Sequence, residues 1–233
     1  MTRVTVRDVQ TSIGVTVDGQ FGDKSKTAFL AKLTNANPAR LTLADFERTA
    51  SDLRAPLAIV RAVNKVEAPR GAYDPAGRPT TLYERHVFAR NSAPVGRFNL
   101  AVPDLSGGPY GRGGYGALSA QYGKLCRAMA LDPHAALSAC SWGAFQVLGE
   151  NWLGMGYASP WDMVQTLATG GEPAHLESFA RFVQMKGLED ELRACKPGDP
   201  ESCVPFVRGY NGAGFREFNY HVSLSDAALA FSR

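Results

Sequence analysis

The sequence predicts a mainly α-helical fold with a minor β element. Apolar residues recur at helical spacing along most of the 233-residue chain. Asp132-Pro133 and Ser159-Pro160 each supply a capping residue followed by proline, a helix start signal. Only "GRPTTLYERHVFAR" (77–90) has the Thr, Tyr, Val and Phe character of a short strand or hairpin, with helix possible after Tyr83. No repeat of fixed period is present.

Taken in order, Val6, Val9 and Ile13 share one helical face, and Ala28, Phe29 and Leu33 share another. Between them "DGQFG" is a turn, because Asp-Gly and Phe-Gly supply positive φ angles. Asp23 is the expected N-cap of the second helix. Two helices in thirty residues bury little, so this segment should lean on the rest. "TNANPAR" (34–40) reads as a polar linker. A helix opens at Thr42 or Ala44-Asp45, and another is expected over about 51–67, stopped by Pro69 and Gly71. "PDLSGGPYGRGGYG" (103–116) is rich in glycine and proline and reads as loop. Further helices are expected over about 117–131, 134–147, 161–169, 174–186, 188–194, 204–208 and 223–231.

Composition narrows the classes. Apolar residues make up 45% and charged residues 20%, enough for one sizeable core or a domain with a small appendage. The net charge is +3, without the basic run of a nucleic-acid arm, so no nucleic-acid partner is expected. Residues 1–14 hold no apolar signal region, and no window approaches the roughly 18–20 apolar residues of a membrane span. His86, His134, His175 and His221 show no H-E-x-x-H spacing, and Cys126, Cys140, Cys195 and Cys203 fit no zinc pattern, so neither metal nor other cofactor is expected. Cys195 and Cys203 flank "KPGDPES", which leaves open a loop-closing disulfide or two thiols. No G-x-S-x-G element supports a serine hydrolase.

Three stretches carry candidate chemistry. In "RAVNKVEAPRGAY" (61–73), Glu67 falls in the last turn of its helix, beside exposed carbonyls, and shares a face with Val60 and Val63. Both surroundings disfavour the ionised form and should raise its pKa. In "SWGAFQVLGENW" (141–152), small and amide groups (Ser141, Gly143, Gln146) punctuate Trp142, Phe145, Val147 and Leu148. These apolar residues suit a core. A second reading is a sugar site, in which flat rings meet pyranose faces and amides meet hydroxyl and acetamido groups. In "GYNGAGF" (209–215), Tyr210 offers a hydroxyl and Asn211 an amide from a loop of close backbone approach.

A carboxylic acid ending a buried helix, then Ser-x-x-x-x-Gln (141–146), then Tyr-Asn-x-x-Gly (210–214), resembles the signature of the lysozyme superfamily branch that holds goose-type lysozymes and lytic transglycosylases. In detail "AVNKVEA", "GRPTTLYERHVF", "SWGAFQVLGENW" and "YNGAGF" resemble the N-acetylmuramidase family found as the catalytic part of many phage endolysins. The resemblance runs from about Leu41 to the C-terminus. The opening "VQTSIGVTVDGQFGDKSKTAFLAKL" resembles a small peptidoglycan-binding module with its D-G-x-F-G turn, shortened by the lack of a helix before Val4. Two departures stand out: "APRGAY" replaces a glycine run after the acid, and "KPGDPES" reads as an insertion.

The resemblance implies a lysozyme-like α+β catalytic domain over 41–233 behind a wall-binding-like segment over 1–36. It implies cleavage of the β-1,4 bond between N-acetylmuramic acid and N-acetylglucosamine in peptidoglycan glycan strands, with Glu67 as general acid. Inverting hydrolysis also needs a base some 6.5–9.5 Å away. Asp74, Glu84 and Asp104 are the candidates, and Glu84 in "LYERH" is favoured. Glu67, Glu84 and Tyr210 form the expected catalytic set; Tyr73, Asp74, Ser141, Trp142, Gln146 and Asn211 form the expected substrate-binding set. The expected protein is a monomer, made in a bacterial host cytoplasm without a signal peptide and acting on periplasmic peptidoglycan after release. Two alternatives stay open: a lytic transglycosylase, in which the muramyl 6-hydroxyl attacks, and a catalytically inert wall-binding or tail protein.

Overall fold

The computed structural model describes residues 2–108 and 115–232. Helix α1 (Val6–Ile13) opens on a capping box between Thr5 and Asp8. Helix α2 (Asp23–Leu33) follows the expected turn, but its N-cap is Gly22. Asp23 is instead the first helical residue, where its carboxylate meets the positive end of the helix dipole. Buried Gln10 fastens the turn, donating to Asp18 Oδ1 at 2.7 Å and accepting from the Gly19 N–H at 2.8 Å. This segment does lean on the rest: Phe29 stacks on Trp161 at 5.5 Å, Arg3 pairs with Asp132 at 2.6 Å, and Gln165 donates to Ser12.

Helix α3 (Leu43–Leu53) starts at a second capping box, Thr42 with Asp45. The helix expected over 51–67 is split. Arg54 turns left-handed at φ 51°, Pro56 occupies the next N-cap, and α4 (Leu57–Glu67) begins there. Proline disfavours helical geometry in the residue before it, which explains the break. Strand β1 (Thr81–Tyr83) and helix α5 (Arg85–Asn91) divide the β-like stretch between them. Residues 103–108 and 115–116 lie outside helices and strands, while 109–114 of that expected loop lie outside the described residues.

Helix α6 (Gln121–Met129) precedes α7 (Pro133–Ser138), capped by Asp132 as expected. The helix expected to reach residue 147 ends at Ser138, and the chain forms strands β2 (Cys140–Trp142) and β3 (Val147–Leu148). Positive φ at Gly143 (71°) and Gln146 (49°) turns the hairpin that a continuous helix would have prevented. The sheet is antiparallel in the order β1-β2-β3, with Ser141 opposite Leu82 on one side and Leu148 on the other. Then follow α8 (Pro160–Thr169) from its Ser159 cap, α9 (Gly171–Lys186), α10 (Glu189–Ala194), α11 (Val204–Asn211) and α12 (Tyr220–Phe231).

Phe29, Phe88, Trp142, Phe179 and Phe206 are fully buried in the core. Helix α12 packs along α4, and α3 packs against α9. All four cysteines are buried and unbridged. Cys195 and Cys203 are neighbours, and the Cys195 thiol lowers the pKa of Cys203 below the ordinary thiol value. Among the described residues, no helix is long and apolar enough to cross a membrane. The architecture is therefore mainly α with a minor three-stranded sheet, the lysozyme-like class expected from the sequence.

Candidate active site

A cleft of about 580 Å³ opens between two walls. One wall is made by the ends of α4 and α11 and the start of α12. The other is made by the β1–α5 junction and the β2–β3 hairpin. Glu67, Glu84, Ser141, Gln146, Tyr210 and Asn211, six of the nine expected site residues, line this one cleft.

Glu67 is the last residue of α4. Val60 and Val63, buried on the same helical face, fix its direction. The half-buried side chain accepts one hydrogen bond, from Asn211 Nδ2 to Oε1 at 3.0 Å. Burial raises its pKa above the ordinary carboxylate value, and the Asn211 bond opposes this weakly. Asn211 ends α11, and its own Oδ1 is buried without a partner. Tyr210 is held among rings, stacked on Phe206 at 5.6 Å and edge-on to Phe179 and Phe182. Its hydroxyl donates to the Phe145 carbonyl at 3.3 Å, so it props the hairpin turn rather than bonding Glu67.

That turn depends on Gly143. A Cβ there would lie 2.0 Å from His175 Nδ1. His175 is buried, accepts from the Ala144 N–H at 3.2 Å, and faces the Leu167 carbonyl through Nε2 at 3.1 Å. Burial pushes its pKa down to about 4, so near neutral pH the ring is uncharged with its proton on Nε2. Gln146 then donates to the Gly143 carbonyl at 2.8 Å, closing the turn.

Glu84 follows β1 and occupies the N-cap position of α5. Its N–H bonds the Ala139 carbonyl at 2.9 Å, continuing the sheet register by one residue. The residue is only 7% exposed. Oε1 accepts from Ser141 Oγ at 3.1 Å, while Oε2 is buried, has no hydrogen-bond partner, and lies 3.6 Å from His86 Nε2. A buried acceptor without a donor is costly unless water or a ligand supplies one.

The remaining three expected residues lie elsewhere. Ser141 faces the cleft, so its strand neighbour Trp142 points away from it. Trp142 is 1% exposed and donates to the Leu137 carbonyl, a core role that offers no stacking face to sugar. Tyr73 donates to the Leu167 carbonyl at 2.8 Å, and Asp74 is consumed by Arg78 and by the backbone of Ala76 and Arg78. Both line a neighbouring cavity. Asp104 is exposed and paired with Arg127 at 2.6 Å. Of the three carboxylates considered as partner to Glu67, Glu84 is the one in the cleft. Arg70, Phe182 and Tyr220 also line it without having been singled out from sequence. Tyr220 reaches it because α12 packs along α4, a long-range fact with no local signature.

The model of the N-acetylmuramidase family matches residues 56–232, from the start of α4 to the end of α12. A crystal structure of Burkholderia AP3 phage endolysin is similar to this chain with a TM-score of 0.76 and 36% identity, covering 96% of this chain and 83% of that one. No curated protein matches.

Proposed function

Because this chain belongs to the N-acetylmuramidase family, and is thereby a glycosidase acting on peptidoglycan, we propose that it hydrolyses the β-1,4 bond between N-acetylmuramic acid and N-acetylglucosamine with Glu67 as general acid and Glu84 as general base. The observation that carries this reading is the pair of carboxyl groups lining one cleft, one with burial raising its pKa and the other with a buried oxygen that has no hydrogen-bond partner.

Burial keeps Glu67 protonated further toward neutral pH than a surface carboxyl. Asn211 fixes Oε1 and leaves Oε2 to give its proton to the leaving glycosidic oxygen. Glu84 Oε2 accepts a proton from water as that water attacks the anomeric carbon from the other face of the ring. Ser141 steadies Oε1 of Glu84 meanwhile. The C–O bond breaks, one hydroxyl adds to muramic acid, and the protons on Glu84 and Glu67 are exchanged back through solvent. Gln146 and the open Oδ1 of Asn211 supply amide groups for the sugar's hydroxyl and acetamido substituents. The step lyses cells in the manner of a phage endolysin, on periplasmic peptidoglycan, by a monomer whose residues 1–36 aid attachment to the wall.

Mass spectrometry of digested peptidoglycan tests this. Reducing muramic ends are expected. Ends in 1,6-anhydromuramic acid would instead mean that the 6-hydroxyl attacks and that the enzyme is a transglycosylase. No cleavage, with permeabilised cells left turbid, would leave only the inert wall-binding reading.

A further inference from the structure

The neighbouring cavity holding Tyr73 and Asp74 measures about 450 Å³, and it shares one residue with the cleft, Arg70. Arg70 sits in the exposed turn between the end of α4 and Gly71. Among the described residues no carboxylate pairs with it. The other charges around this second cavity are spent on each other: Arg78 is bidentate on Asp74 and stacks over Tyr122 at 4.2 Å. What remains is one guanidinium without a carboxylate partner among the described residues, on a cavity that Tyr73, Leu118 and Tyr122 also line. Burial and Asn211 account for the shift at Glu67, so Arg70 is not the group that tunes the acid.

A neutral sugar chain gives such a cation nothing to pair with. In peptidoglycan the negative charges reside in the peptide stems, whose alanine methyl groups suit an apolar lining. We propose that the second cavity seats the peptide stem beside the scissile bond, and that Arg70 pairs with a stem carboxylate, making it a specificity residue for peptide-bearing strands. This rests on the peptidoglycan-cleaving function above. An Arg–carboxylate pair adds directional recognition that a simple point charge would not.

Steady-state cleavage of intact strands is to be compared with cleavage of strands whose stem carboxylates have been amidated with ammonia by carbodiimide coupling. For the wild type, amidation should raise KM about fivefold to tenfold with little change in kcat, the range expected of a partly exposed charged pair. Arg70→Gln should show the raised KM on intact strands, no further response to amidation, and an unmoved basic limb of the pH–rate profile. A wild type indifferent to amidation would overturn the inference. So would an Arg70→Gln variant that amidation impairs as much as it impairs the wild type. Absence of reducing ends from wild type on both substrates would instead overturn the function on which the inference rests.

Discussion

Glu67 ends helix α4 and Glu84 immediately precedes helix α5, so the two walls of the cleft place one functional group in different surroundings. At the end of α4, burial disfavours the charged form of Glu67, and Asn211 offers its side chain a hydrogen bond that opposes this. At the start of α5, Glu84 is buried as well, with Ser141 donating to one carboxylate oxygen and the other oxygen without a hydrogen-bond partner. Under the mechanism proposed above, the difference teaches how one chain could present a proton donor and a proton acceptor of the same chemical type across a single cleft. In the proposed mechanism it is the surroundings of each carboxyl, not residue identity, that separate the roles.

The strongest way to break this contrast is Glu67→Gln, which keeps shape and removes the transferable proton. A positioned acid typically contributes about 10²–10⁴-fold, so turnover should nearly vanish. Stability should not fall. Because burial raises the folded-state pKa of Glu67, its proton is held best at low pH and the associated stability is lost as pH rises through the raised value. The Tm of Glu67→Gln relative to wild type should therefore climb toward neutral pH. A folded variant that clears permeabilised cells at near wild-type rate would remove Glu67 from the reaction.

Glu84→Gln tests the other wall. Loss of a general base should lower hydrolysis by about 10²-fold or more, while binding of glycan fragments persists. Full retention of activity, joined to 1,6-anhydro products, would show that the acceptor is not a carboxylate and that the contrast has no catalytic meaning.

What the sequence exposes and hides follows the same geography. Glu67 is legible because its cues are local: proline and glycine stop the helix, and Val60 and Val63 mark its buried face. The mainly helical fold is legible for the same reason, through caps such as Asp132 and Ser159. The β2–β3 hairpin reads as helix because its turn is imposed from outside, by buried His175 accepting from Ala144. Trp142 reads as a sugar platform because sequence does not say which face of a strand meets the cleft, and burial answers it. Tyr73 and Asp74 follow Glu67 closely in sequence, yet Gly71 at φ 74° turns them away from it. Arg70 and Tyr220 carry no pattern, since only tertiary packing gives them a role.

Asn211→Ala sharpens the contrast from the acid's side. It removes the one hydrogen bond that opposes the rise in the Glu67 pKa, so the basic limb of the pH–rate profile should move to higher pH. The acid also loses its orientation, and a hydrogen bond to a charged group is worth about 1.5–3 kcal/mol, so kcat should fall about tenfold or more. Movement of the limb to lower pH would mean that Asn211 stabilises the neutral acid instead.

The smallest expected effect is that of Tyr210→Phe, and it separates a prop from a participant. The hydroxyl donates to the Phe145 carbonyl at 3.3 Å, near the long end of hydrogen-bond distances, and the ring is held independently by Phe179, Phe182 and Phe206. Phenylalanine keeps the ring contacts and leaves one carbonyl without its donor, a loss on the order of 1 kcal/mol, or about fivefold in rate if the hairpin loosens. Because the hydroxyl bonds the hairpin and not Glu67, the basic limb should stay where it is. That stationary limb distinguishes Tyr210 from Asn211, which sits next to it in sequence and on the same helix. If Tyr210→Phe instead moved the limb as Asn211→Ala does, the hydroxyl would have to reach Glu67 in the working enzyme. The acid's environment would then be built by two side chains of α11 rather than one.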